Sequence, residues 1–193
     1  SKIENDEIAV EDPPEYNEIV SRNFSWKDYD NRNYFWNFKF KYGDYVKSKQ
    51  NKEYRDFDSN RDLYASLSRF DDNKFNLIYS TLQKIKNDNN LTRNRFAKVV
   101  VSLIQSIPYS YNITGNCNGV DIPSAYKNDI INGVPCISNV RHDILTPLEF
   151  FYNRKGDCDS RTVLIYTILK KFGYDVIILN SDLYTHSMIG INL

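Results

Sequence analysis

A chain of 193 residues with 41% hydrophobic content is long enough for one substantial core, or for a core with an appended subdomain. Its 25 basic residues balance 25 acidic ones, so nothing favours broad electrostatic attachment to nucleic acid or an anionic membrane. No run of about eighteen apolar residues exists, which excludes an apolar helix spanning a bilayer.

Residues 1–20 read as an acidic leader, broken by Pro13-Pro14 and too polar to order itself by burial. Residues 21–70 form a second unit. Tyr34, Trp36, Phe38, Phe40 and Tyr42 recur at every second position, the period of a half-buried strand, and Phe24 and Trp26 belong to an earlier strand joined to it through a turn over Asp28 to Asn33. The resulting hairpin carries one aromatic face, suited to core packing or, less simply, to sugar rings and aromatic side chains of a ligand. Short helices are expected over Tyr45 to Arg55 and Arg61 to Ser68, with their basic residues on a solvated face.

Residues 71–193 carry the core. Phe75, Ile78, Tyr79, Leu82 and Ile85 mark an amphipathic helix, and Thr92 caps a second whose buried face is Phe96, Val99, Val100, Leu103, Ile104 and Ile107. Pro108 ends it. Tyr109 to Asp143 then shows little periodicity, and a loop of that length inside a compact domain is expected to be functional, as a substrate wall or lid. Thr146-Pro147-Leu148-Glu149 is a capping box with proline at the first helical position.

The stretch Lys155-Gly156-Asp157-Cys158-Asp159-Ser160 opens the next helix. Leu164, Ile165, Ile168, Leu169 and Phe172 give it a broad apolar face, and Gly173 supplies a left-handed stop. Asp157 is the expected N-cap. Cys158 then meets unpaired N–H groups and the positive end of the helix dipole, which should lower the thiol pKa. Two short strands follow, Asp175 to Asn180 and Thr185 to Ile191, so His186 begins a strand returning beside the first. A cysteine at a helix N-terminus and a histidine on a nearby strand are the nucleophile and base of thiol catalysis. The bland alternatives are a buried structural thiol and a satisfied core histidine.

The ordered set Pro147-Leu148-Glu149, Lys155-Gly156-Asp157-Cys158-Asp159, Lys171-Phe172-Gly173-Tyr174 and His186, with Ile104 to Tyr109 upstream, resembles the transglutaminase-like superfamily, in particular its bacterial cysteine peptidases. The similarity runs over roughly half the chain, from Phe96 to Leu193. It implies an α+β fold with a cysteine-protease-like core of helices on a small antiparallel sheet that includes the last two strands and the N-terminal hairpin. It also implies acyl transfer through a Cys158 thioester with His186 as base, Tyr109 as an oxyanion donor, no cofactor, no metal, and a protein or peptide substrate.

One element of the family pattern is missing. Its enzymes orient the histidine with an acid or amide on a following strand, and only seven residues follow His186. Asn192 lies about 20 Å along the strand. Asn180 reaches His186 if the hairpin register allows, or the orienting residue lies beyond Leu193. A transglutaminase-like domain without catalysis, serving as a binding or assembly module, is therefore the alternative reading.

Cys117 and Cys136 are either a disulfide, which suits an extracytoplasmic compartment, or loop thiols in a reducing one. A zinc site from Cys117, Cys136, His142 and Cys158 lacks the paired spacing of structural zinc motifs. A redox sensor would need one of the other two cysteines beside Cys158. Oligomeric state is not legible.

Overall fold

The computed structural model describes residues 15–118, 122–181, 183 and 186–193, and its class is α+β. Most of the acidic leader lies outside the described residues. β1 (Ile19–Lys27) starts inside the segment assigned to that leader and pairs antiparallel with β2 (Asn33–Lys41), placing Phe24 opposite Trp36 and Trp26 opposite Tyr34. The tight connection is held by Asp28, whose Oδ1 accepts from the Asp30 and Arg32 amides at 2.9 Å each. Strand alternation then buries Val20, Phe24, Trp26, Tyr34, Phe38 and Phe40 on one face, while Phe35 stays 68% exposed on the other.

That aromatic face is core. Phe24 meets Phe38 and Phe151 edge-on, each with ring centroids 5.6 Å apart. The hairpin therefore lies against α3 (Asn76–Asp88), α4 (Arg93–Ser106) and α6 (Pro147–Asn153). Burying a side chain of this size contributes roughly 2–3 kcal/mol, so the hairpin is an integral part of the domain.

α1 (Tyr42–Glu53) and α2 (Asn60–Phe70) appear close to where the sequence places them, but the expected solvated face is wrong at one position. Lys52 is fully buried and its Nζ lies 2.8 Å from both Glu149 Oε2 and the Ile144 carbonyl. Beside it Ser48 Oγ donates to Thr146 Oγ1 at 2.7 Å, and Thr146 and Glu149 complete the capping box of α6. A partner nearly a hundred residues away cannot be read from local charge pattern.

α7 (Cys158–Lys171) is the central helix. Val163, Leu164, Ile165, Ile168 and Leu169 are buried, and so are Thr162 and Thr167, because α4, α6, α2 and the terminal hairpin surround it. Gly173, at φ +76°, reverses the chain as expected. β5 (Asp175–Ser181) and β6 (His186–Asn192) pair antiparallel as a separate ribbon. Among the described residues the two hairpins are thus not one sheet, contrary to the expected arrangement: helices fill the space between them.

The long stretch after Pro108 is not featureless. It holds β3 (Tyr111–Asn112), α5 (Ser124–Ile131) and β4 (Cys136–Ile137), with β3 and β4 parallel. α5 buries no residue, which is why no apolar period announces it. Cys117 and Cys136 are joined in a disulfide. Among the described residues no helix is long and apolar enough to cross a membrane.

Candidate functional site

The turn before α7 is clamped on both sides. Gly156 forms a parallel bridge with Tyr109, through Ser110 N–H to the Gly156 carbonyl and Gly156 N–H to the Pro108 carbonyl, each at 3.3 Å. Only glycine fits, because a Cβ there would lie 2.5 Å from the Phe150 ring. Asp157 caps α7, its Oδ1 accepting the Ser160 amide at 2.9 Å. Ser160 Oγ in turn accepts from Leu145 N–H at 2.9 Å and Asn112 Nδ2 at 3.1 Å, tying the helix end to β3 and to the segment before α6.

Cys158 therefore sits at the first position of an N-capped helix, half-buried and free. The electrostatics run against the expectation of a lowered pKa. Burial pushes the thiol up; the Ser187 backbone opposes this, but Asp159 and Asp157 reinforce it. The helix dipole remains, yet two carboxylates next to the sulfur outweigh a partial charge of about one half. Asp157 is itself driven up to about 7, mainly by its burial and to a lesser degree by Asp159, against the bonds from Ser160.

On one side of the thiol stands a wall of tyrosines. Tyr109, held beside the turn by its backbone bridge, is 38% exposed. Its ring meets Tyr111 edge-on at 5.3 Å, and Tyr111 stacks on Tyr126 of α5 at 4.5 Å. Tyr111 also donates to Asp129 Oδ2 at 2.6 Å. The Arg161 guanidinium lies 5.4 Å over the Tyr109 ring and donates to the Ile107 carbonyl at 2.6 Å. Burial and then the Cys158 charge raise the Tyr109 phenol well above its ordinary value, so it is a neutral O–H donor at any physiological pH.

On the other side lies the start of β6. Ser187 is buried, its Oγ donating to Asp159 Oδ1, 3.0 Å from Asn180 Oδ1 and 3.4 Å from the Tyr64 phenol. Cys158 Sγ is 4.0 Å from the same Asp159 oxygen, and Thr162 Oγ1 bonds the Ser187 carbonyl at 3.2 Å. His186 pairs with Ser181 across the ribbon, and strand alternation gives its exposed side chain the face opposite to Ser187. No hydrogen bond joins His186 to Cys158 among the described residues. Asn180 pairs with Ser187 and contacts it rather than His186; Asn192 pairs with Asp175 at the far end.

The remaining candidates sit elsewhere. His142 packs edge-on against Phe57 at 5.1 Å. The disulfide removes Cys117 and Cys136 from any zinc set and from service as a resolving thiol, because Cys158 is left free. Asp159 reads from the sequence as a helix-terminus residue that could also shape substrate access, whereas Ser187, Tyr64, Tyr111 and Tyr126 were not legible as site residues. Ser187 needed the ribbon's register, and the tyrosines lie on α2, β3 and α5, which reach Cys158 only through tertiary packing.

No family model, curated protein or solved structure matches this chain, so a function for it rests on the geometry around Cys158.

Proposed function

We propose that the chain is a thiol-dependent acyl-transfer enzyme of transglutaminase-like type, a cysteine peptidase or amidase acting at Cys158. The observation that carries the reading is the placement of one free thiol at the first residue of a capped helix, with Tyr109 clamped beside it and the Ser187 backbone against it, one peptide from His186. Because the resting thiol is protonated, His186 acts as general base during attack rather than as one half of a standing ion pair. His186 is the first residue of β6, next to Ser187, and in this reading its imidazole reaches the sulfur when substrate binds.

The proton passes from Sγ to the imidazole as sulfur bonds the amide carbonyl carbon, and the carbonyl electron pair moves onto oxygen. The N–H groups at the start of α7 and the Tyr109 hydroxyl receive that oxyanion. The C–N bond then breaks, and the imidazolium protonates the departing amine. Water, deprotonated by His186, cleaves the thioester to a carboxylate and returns the thiol. An amine in place of water makes the same site a transglutaminase. The disulfide favours an extracytoplasmic setting for this chemistry.

The test uses p-nitrophenyl acetate, with acetylation of the Cys158 peptide followed by mass spectrometry. Acetylation that falls roughly 10²–10⁴-fold in His186→Ala supports the pair. Acetylation no faster than that of free cysteine, and unchanged in the variant, would rule it out. The outward-facing His186 favours a second reading in that event, a transglutaminase-like binding or assembly module without catalysis.

A further inference from the structure

A cleft of about 730 Å³ runs between the first turns of α2 and β5, with Tyr166 of α7 beside it. Residues 176–178 of β5 all line it, and because neighbouring residues of a strand face opposite ways, a cleft touching all three follows the strand's edge rather than one of its faces. That edge is open. β5 pairs with β6 alone, so among the described residues the outward backbone groups over 176–180 have no ladder partner. Such an edge is a ready template for another extended chain.

The cleft stops short of the thiol, with buried Ser187 between them. Its lining includes Tyr64 and Asn180, the two side chains that flank Ser187, and Ser187 shares Asp159 with Cys158. Among the described residues Arg61 is the only charged residue in the cleft's lining, and it stands in the first turn of α2 beside Asp62, which does not line the cleft. Ile177, 56% exposed, offers an apolar patch between these polar ends.

We propose that this cleft is the substrate channel of the Cys158 site, and that it binds an acidic peptide segment in extended form, added as a strand to the free edge of β5 with a carboxylate toward Arg61. Main-chain hydrogen bonds along the edge give affinity and the alternate side chains give selectivity. A peptide seated there runs past Asn180 and Tyr64 toward the sulfur. The assignment of that peptide as substrate rests on the acyl-transfer reading, whereas the binding does not.

The experiment uses Cys158→Ala protein, in which no acyl transfer occurs, and backbone amide shifts and hydrogen exchange read by NMR. Three millimolar probes are compared: acetyl-Thr-Asp-Val-Asp-Val-amide, its Lys-for-Asp counterpart, and the acidic peptide N-methylated at both valines. The acidic peptide is expected to shift and protect amides over 176–180, the other two to do so at least about tenfold more weakly. Arg61→Glu, an exposed change that leaves the fold intact, should invert the preference between the acidic and basic peptides. No perturbation of β5, equal binding of the N-methylated peptide, or indifference to charge would overturn the proposal. Loss of p-nitrophenyl acetate reactivity with the NMR result intact would instead remove the catalytic reading alone.

Discussion

Two capped helix N-termini in this protein bury carboxylates in different company, one beside lysines and the other beside a second acid and a thiol. At α6 the cap Thr146 and Glu149 meet a buried cation, Lys52, with Nζ and Oε2 2.8 Å apart, and a second buried carboxylate there, Asp71, accepts from Leu148 N–H at 3.0 Å, is pushed up to about 6 by burial, and has Lys74 3.6 Å away. At α7 the cap Asp157 is equally buried and has Asp159 and a thiol for neighbours; among the described residues neither carboxylate takes part in an ion pair. A buried carboxylate with its cation locks two elements together, while one without a cation stores a proton near neutral pH. The first is structural machinery; the second is a place where protonation can be coupled to an event.

The largest break in this contrast is at Lys52. Lys52→Met leaves Glu149 buried and uncompensated and should cost about 3–5 kcal/mol in urea unfolding, whereas Lys52→Met with Glu149→Gln should recover most of the loss. If the double variant is no better than the single one, the pair is not what holds α1 to α6. Next comes the tyrosine wall, which unlike α6 is tied by a covalent link. Reducing Cys117–Cys136, 19 residues apart in sequence, should lower stability by about 3 kcal/mol on loop-closure grounds, read as a drop in Tm on adding dithiothreitol.

Asp157 gives a smaller, pH-dependent effect. Its folded carboxyl titrates at about 7 and an unfolded aspartate near 3.9, so the native state holds the proton more tightly. Stability from this group is therefore present below pH 4 and lost as pH rises toward 7. Asp157→Asn, which keeps a capping side chain, should stabilise by on the order of 2 kcal/mol at pH 8 and by nothing at pH 4. Equal midpoints for the two proteins at pH 8 would mean that Asp157 is ionised without cost. Thr92, whose Oγ1 accepts from Arg95 N–H at the start of α4, calibrates capping alone, and Thr92→Ala should cost about 1 kcal/mol at either pH.

Local chemistry was legible in the sequence, and long-range pairing was not. Thr146, Asp157, Thr92 and Gly173 act as the caps and stops their residue types imply, because capping is decided within three or four residues. The aromatic alternation of β2 gave the buried face correctly for the same reason. Lys52, the stacking of Tyr111 on Tyr126, and the separation of the two hairpins depend on which elements meet across the core, and no periodic signal encodes that. The register of β5 on β6 matters most. A slip of one residue would exchange the two faces of β6, and the observed pairing turns Ser187 rather than His186 toward α7.

The most direct measurement is the pH dependence of Cys158 alkylation by iodoacetamide in the native protein, Asp159→Asn and His186→Ala. With the thiol raised by burial and its two carboxylates, the native midpoint should lie above the free-thiol value of about 8.5, fall in Asp159→Asn, and stay put in His186→Ala. A native midpoint well below 8.5 that is lost in His186→Ala would contradict this account: it would mean a thiolate–imidazolium pair already standing at the end of β6.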